Sequence, residues 1–259
     1  MVCKLENTDC AAPIFGGWEE TMIWSCLQGV MGHIYADDKA KPSSAMAILG
    51  DFCFLAGSPD EELASYKPEW CTQDFIIIVP QNRQWGAVIE KCYGDKARKV
   101  VRYAMKKEPD IFNRNRLENI IEQLPSEYTL RMIDEPVFHD CRKENWCGDL
   151  VSQFADYNSY QRMGLGVVVM RDEVPVAGAS SYTVYQGGIE VEIDTKMEYR
   201  RRGLATVCGA KLILECLDRG WYPSWDAQNL WSVALAEKLG YHFSHEYDAY
   251  EVTAYGQCR

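Results

Sequence analysis

Apolar and polar residues alternate strictly along Ile189-Glu190-Val191-Glu192-Ile193-Asp194-Thr195, the period of a half-buried strand. Further on, Leu204, Val207, Cys208, Ala210, Ile213, Leu214 and Leu217 recur at helical spacing and predict a helix with a broad apolar face. That helix should stop at Asp218-Arg219-Gly220, where a glycine can take the left-handed conformation that follows a helix end. Between strand and helix stands Tyr199-Arg200-Arg201-Arg202-Gly203-Leu204-Ala205-Thr206. The unit is strand, basic glycine turn, helix.

The same reading orders the rest of the chain. Met22, Ile23, Cys26, Leu27, Val30 and Met31 have helical spacing within 18–37. Ala45–Leu49 and Phe52–Gly57 flank Gly50-Asp51 and read as a hairpin. Phe75–Val79 is nearly all apolar and β-branched, which suits an interior strand. A helix over 84–92 and a strand over 100–105 follow. The polar stretch Lys106-Lys107-Glu108-Pro109-Asp110 marks a boundary. This predicts an N-terminal α/β domain over 1–110, a connecting helix within 111–125, and a second domain over 126–259. The second domain reads as a strand over 128–133, short helices over 146–154 and 159–163, and a hairpin turning at Arg171-Asp172-Glu173. The Glu190 strand, the basic turn and its helix come next, then final strands over 241–254. Helix, hairpin, buried strand, helix, strand recurs in both halves, so the N-terminal half reads either as a diverged copy of the C-terminal fold without the basic turn or as an unrelated α/β domain.

Composition narrows the function classes. Hydrophobic residues make up 47% and charged residues 25%, as in ordinary globular proteins. No run approaches the ~18–20 apolar residues that span a bilayer, and the first residues lack a signal-peptide pattern, so a cytoplasmic protein with no membrane partner is expected. A net charge of −11 argues against a nucleic-acid partner. The 11 cysteines form no C-x-x-C pair and read as reduced, packed thiols. His242 and His245 have no third ligand spaced near them, so no metal is predicted.

The basic turn carries the chemistry. A helix N-terminus presents unpartnered N–H groups and partial positive charge, and so holds anions. Gly203 and Ala205 are small enough for a phosphate to approach the backbone. Arg200-x-x-Gly203-x-Ala205 resembles the R/Q-x-x-G-x-G/A signature of the GCN5-related N-acetyltransferases (GNAT), in which this turn holds the pyrophosphate of acetyl-CoA. Trp225-Asp226-Ala227-Gln228-Asn229 and Leu235-Ala236-Glu237-Lys238-Leu239-Gly240-Tyr241 resemble the family's second CoA-side segment. The resemblance covers the C-terminal half. It implies an α/β (α+β) fold with a mixed, mostly antiparallel sheet flanked by helices, here with an extra N-terminal domain. It implies acetyl-CoA as co-substrate, held by Thr195, Arg200, Arg201, Arg202, Gly203, Leu204, Ala205, Thr206, Asn229 and Ser232. Asn229 also reads as a plain helix N-cap.

Acyl transfer from a thioester needs a positioned cofactor, a polarised carbonyl and a base for the ammonium, but no nucleophilic Ser or Cys. Glu190, Glu192 and Asp194 crowd one face of the strand, which can raise a carboxylate pKa toward a useful range. Family members often place a carboxylate on this strand, and a bulge there would swap its faces; Glu192 and then Glu190 are the candidate bases. The acceptor implied is an amine on a small molecule or on a peptide or protein, attacking the thioester directly. One departure stands out: the tyrosine that family members aim at the departing thiolate is Ala236 here. Tyr182, Tyr185, Tyr247 and Tyr250 are substitutes near in sequence. The alternative reading is a non-catalytic acyl-CoA-binding or regulatory module. A different nucleotide-binding protein has no P-loop lysine or G-x-G-x-x-G turn to support it.

Overall fold

In the computed structural model, residues Met1–Gln257 are described. The chain divides into two compact units, Met1–Arg102 with the segment from Glu246 onward, and Tyr103–His245. No helix among the described residues is long and apolar enough to cross a membrane.

The first unit holds β1 (Cys3–Lys4), α1 (Thr21–Leu27), β2 (His33–Ala36), β3 (Ser44–Leu49), β4 (Phe52–Gly57), α2 (Glu61–Ser65), β5 (Phe75–Pro80) and α3 (Arg83–Tyr93). It also holds most of β6 (Ala97–Met105). β2, β3 and β4 pair antiparallel, and β5 returns parallel to β4. β3 is buried along its whole length, so its apolar run is continuous rather than alternating. One face packs Trp85, Ile89 and Tyr93 of α3 against Met46, Ile48, Leu55 and Ile78. The helical spacing over 18–37 is realised only as α1. Beyond it Gly29 and Gly32 take positive φ, and the chain turns into β2.

The second unit adds α4 (Arg114–Glu122), β7 (Thr129–Met132), α5 (Glu135–Lys143), α6 (Tyr157–Met163), β8 (Gly166–Arg171), β9 (Val174–Tyr185), β10 (Gly188–Thr195), α7 (Leu204–Asp218), β11 (Tyr222–Ser224), β12 (Asp226–Ala227) and α8 (Leu230–Leu239). Its five-stranded sheet has the order β11-β10-β9-β8-β7, antiparallel except that β11 runs parallel to β10. Mixed sheets flanked by helices are the architecture the resemblance implied. The final strand, β13 (Phe243–Thr253), pairs antiparallel with β5 through Tyr250–Thr253. Conversely, Tyr103 and Ala104 at the end of β6 pair with β12.

The predicted helix over 146–154 is instead a single tight turn at Gly148–Leu150. Gly148 raises the entropic cost of continuing a helix there, while Leu150, Val151 and Phe154 are buried without one. Gly178 of β9 gives Leu150 its seat, since a Cβ at that glycine would stand 2.4 Å from Leu150 Cδ1. The helix missed by the patterning is α5. Its start has the capping signature, with Asp134 accepting the Val137 N–H at 3.2 Å and Pro136 in the first turn.

The two units repeat one order of elements. Three antiparallel strands are followed by a helix and by a strand parallel to the third: β2-β3-β4, α2, β5 in the first, β8-β9-β10, α7, β11 in the second. The intervening helices differ. α7 runs 15 residues, and α2 runs 5.

α4 sits where a connecting segment was expected, yet its Leu117 is fully buried in the cluster that joins α7 and α8. Leu117→Ala should therefore lower stability by about 2–5 kcal/mol, the usual result of emptying a packed site. Urea unfolding monitored by circular dichroism checks this; a change under 0.5 kcal/mol, roughly the surface-substitution level, would mean α4 is only a tether.

Candidate functional site

The site begins where β10 and β11 part. Their pairing covers Gly188↔Tyr222, Ile189↔Pro223 and Glu190↔Ser224 and goes no further. β10 continues to Thr195 with β9 on one side only, while β12 pairs with the end of β6. Alternate backbone groups of Val191–Thr195 on the open edge are thus left without a strand partner, as on any sheet edge. A groove of about 860 Å³ runs from this opening, lined by Ile193, Asp194 and Thr195, to the N-terminus of α7 and along α8.

The mouth of α7 differs from most other helix starts, α1 being the other one without a side-chain cap. Asp60, Asn82, Asn113, Asp134, Asp156 and Asn229 each cap a helix with a side-chain oxygen. α7 starts at Gly203 with no side-chain cap. Its first N–H groups therefore face the groove, where Gly203, Leu204, Ala205 and Thr206 are all part of the wall. Gly203 has φ +80°, and nothing lies within 4 Å of where a Cβ would stand. Arg201 also takes a left-handed φ of +62°, which an L-residue adopts at a cost of order 1 kcal/mol or more. Two departures of this kind, separated only by Arg202, fold the turn tightly around the helix end.

The three arginines do different work. Arg200 Nε donates to the Thr195 carbonyl at 3.0 Å, and its terminal nitrogen approaches Asp194 Oδ1 at 3.4 Å, so it straps the turn to the end of β10. Arg202 donates to the Glu198 carbonyl at 3.1 Å and to the Tyr128 hydroxyl at 3.3 Å, with its guanidinium over the Tyr199 ring. It braces the turn from behind and does not line the groove. Arg201 lines the groove, and no ion pair engages it among the described residues.

On the opposite wall Asn229 Oδ1 accepts the Ser232 N–H at 3.0 Å, which is the N-cap of α8. Ser232 Oγ accepts the Trp225 indole N–H at 3.0 Å. Both residues line the groove while holding that corner together. Thr195 is 8% exposed, and its hydroxyl has no partner among the described residues. A buried hydroxyl without a partner is costly, which makes Thr195 Oγ1 a candidate for contact with a ligand.

The carboxylates are not equivalent. Val191 and Ile193 join the cluster under α7, so alternation puts Glu190, Glu192 and Asp194 on the other face of β10. The register irregularity expected in this strand does occur beside it. Glu190 pairs with Thr183 and Val191 with Ser181, so the extra residue is Tyr182 of β9 and β10 keeps its own alternation. Glu190 is buried at the point of divergence, beside Ser224, whose hydroxyl is 2.9 Å from the Tyr185 hydroxyl. Burial, with the charge of Glu190 adding to it, raises the Tyr185 and Tyr222 pKa values, which keeps both phenols protonated. Glu192 is half-buried, one alternate position further along. Asp194 was the least favoured of the three, yet it alone lines the groove. Burial raises its pKa, against the Thr195 N–H it accepts at 2.6 Å and the nearby Arg200.

Ala236 is fully buried in the α7–α8 cluster. The tyrosine that lines the groove is Tyr199; none of Tyr182, Tyr185, Tyr247 or Tyr250 does, and the last two lie in the other unit. Tyr199 escaped sequence reasoning because it precedes the basic turn, not the last helix. His242 is bound to Glu108 at 2.8 Å, and no group of three His, Cys, Asp or Glu among the described residues could hold a metal ion.

Comparisons with known proteins converge. A family model described as GNAT acetyltransferase matches residues 12–250, through both units. The "Uncharacterized N-acetyltransferase YdfB" of Bacillus subtilis (strain 168) is 29% identical over 253 residues, 89% of each chain. A crystal structure of a GCN5-related N-acetyltransferase-like protein from Streptococcus suis 89/1591 is 45% identical with a TM-score of 0.90, covering 95% of this chain and 98% of that one. A "tandem GNAT protein from the clavulanic acid biosynthesis pathway" shares the fold with a TM-score of 0.51 at 9% identity, covering 98% of each chain.

Two predictions follow from this geometry. Ala205→Glu puts a carboxylate in the first turn of α7, where the helix dipole favours it, so folding should be unharmed. Millimolar acetyl-CoA should raise the melting temperature of the wild type, and the same charge should abolish that rise; a preserved rise would remove the α7 N-terminus from the site. Asp194 binds its proton more tightly folded than unfolded, so its own contribution to stability should fall as pH rises from ~4 through the raised value. Asp194→Asn should escape that fall, and urea titrations at pH 3.5 and 7 should show the variant gaining on the wild type; a constant difference would be contrary to a raised pKa.

Proposed function

The chain belongs to the GNAT acetyltransferase family and is an acetyltransferase enzyme, and we propose that it transfers the acetyl group of acetyl-CoA to a primary amine. The observation that carries this reading is the uncapped N-terminus of α7, opening into a groove that leads to the divergence of β10 and β11. The residues fit the group. The N–H groups of Leu204, Ala205 and Thr206, with Arg201, would hold the pyrophosphate, as Gly203 leaves the approach open. The Thr195 hydroxyl and the open backbone edge of β10 would hold the pantetheine arm and polarise the thioester carbonyl. Arg200 and Arg202 would act on the turn rather than on the cofactor, and Asn229 and Ser232 would shape the wall through the α8 cap. When bound, the cofactor supplies an acyl group already activated as a thioester.

This chain's share of the chemistry is then proton management. Asp194 lines the groove, whereas Glu190 and Glu192 precede it along the same strand outside the groove lining, so an amine would approach over those two. That negative face attracts an ammonium ion. Glu192 is open enough to exchange a proton with water and is the proposed base; Glu190, buried at the divergence, would sustain the polar knot with Tyr185 and Ser224. Tyr199 stands nearer the basic turn than the strand divergence, so the thiolate is proposed to leave without a dedicated acid, which its acidity permits. Of the enzyme and the non-catalytic module, family membership stands with the enzyme.

The repeated order of elements, the family match running through both units and the fold likeness to a tandem GNAT protein support a second proposal. The first unit would be a degenerate copy of the same fold. Its counterpart of the basic turn is Gly57-Ser58-Pro59-Asp60, where Asp60 accepts the Leu63 N–H at 2.9 Å. A side chain occupies the helix start that an anion would need.

Release of free thiol from acetyl-CoA, followed against a panel of primary amines, tests the main proposal. Turnover is expected with at least one amine, and Glu192→Gln should lower kcat by roughly 10²–10⁴ and remove the acidic limb of the pH profile. Binding of acetyl-CoA with no amine turned over would overturn it.

A further inference from the structure

α8 carries a surface that the proposed chemistry does not use. Trp231 is 82% exposed, although an indole is among the most favourable side chains to bury. It nevertheless lines the groove, together with Leu235 and Lys238. Spaced i, i+4 and i+7, these three share one helix face about 10 Å long. An aromatic plate, an aliphatic floor and a cation thus stand in a row on the groove wall.

The charges in the groove point the same way. The whole chain carries a net charge of −11, which repels an anionic ligand. Yet the Lys238 ammonium, like Arg201, is paired with no carboxylate among the described residues, and both face the groove. Elsewhere lysines and arginines are widely tied to acids, as Lys211 and Arg219 are to Glu215 at 2.7 and 2.6 Å. An acidic protein that keeps two cations free beside an exposed indole has the elements of a nucleotide seat, since a base stacks on an aromatic face and a phosphate takes the cations.

We propose that the Trp231–Leu235–Lys238 face of α8 is the seat of the adenosine 3′-phosphate end of CoA, with the purine stacked on Trp231 and the 3′-phosphate paired with Lys238. This rests on the acetyl-CoA reading above and adds to it the part of the ligand that lies beyond the pyrophosphate. It also assigns a function to Trp231, whose exposure would otherwise be unfavourable. Recognition here is by stacking and charge rather than by base-edge hydrogen bonds, so the seat selects for a 3′-phosphorylated nucleotide handle.

Isothermal titration of wild type, Trp231→Ala and Lys238→Ala with CoA, 3′-dephospho-CoA and 4′-phosphopantetheine tests the assignment. Trp231→Ala should weaken CoA about 5- to 150-fold, the range that base–aromatic stacking gives, and leave 4′-phosphopantetheine unchanged. Lys238→Ala should lose the preference for CoA over 3′-dephospho-CoA. The exposure of Trp231 lets its variant fold, and an unchanged melting temperature without ligand verifies that. Unchanged CoA affinity in Trp231→Ala, or an equal loss for 4′-phosphopantetheine, would overturn the seat while the CoA reading stands. A wild type that binds neither CoA nor 4′-phosphopantetheine would overturn both.

Discussion

Two parallel strands that stop pairing leave a row of backbone groups with nothing to bond, and a protein must cover, solvate or use that row. In the second unit β10 and β11 separate after Glu190 and Ser224, and β10 runs on to Thr195 as an open edge. The groove, the placement of the α7 N-terminus at its far end and the carboxylates along the strand all depend on this parting. Had the pairing continued, Ile193–Thr195 would be interior sheet, and the uncapped end of α7 would open onto nothing.

The second constraint is the economy of helix ends. Six helices satisfy their first N–H groups with a local Asp or Asn, a device worth about 0.5–2 kcal/mol each. α7 forgoes it and instead has Arg200 and Arg202 tied to backbone carbonyls and Arg201 and Gly203 in left-handed conformations. Stability at α7 is supplied by its packing: Ala210, Ile213 and Leu214 pack in the cluster that includes Leu117 and Leu239, while no side chain caps the N-terminus. The corresponding helix of the first unit keeps its cap and is a third as long. The two units thus show the same order of elements with and without an open helix end.

Much of this was legible in the residues. The strict alternation over 189–195, the glycine that starts α7 and the one that ends it are local signals, and the structure follows them: Gly203 and Gly220 both take positive φ. The signature around Arg200, Gly203 and Ala205 pointed to the family that the whole-chain comparisons then showed. Less was legible where burial competes with spacing. Residues 146–154 have apolar positions at helical intervals, but a single turn at Gly148–Leu150 buries them just as well. α5 was announced by Asp134 and Pro136 and overlooked because its apolar face is narrow.

The sequence by itself determined the local pieces: which segments are strand or helix, where a helix starts without a cap, and that arginines crowd that start. Each depends on residues within a few positions of one another, so the chain states them directly. The tertiary structure decided which of those pieces face a common space. Only the fold turned Arg202 away while leaving Arg201 in the groove, tied Arg200 to Asp194, and placed the bulge on β9 at Tyr182 rather than on β10. Only the fold sent β13 to pair with β5 and closed Ala236 into the core. These outcomes turn on contacts between residues far apart in sequence, and such contacts are set by how whole faces pack, which no local pattern encodes.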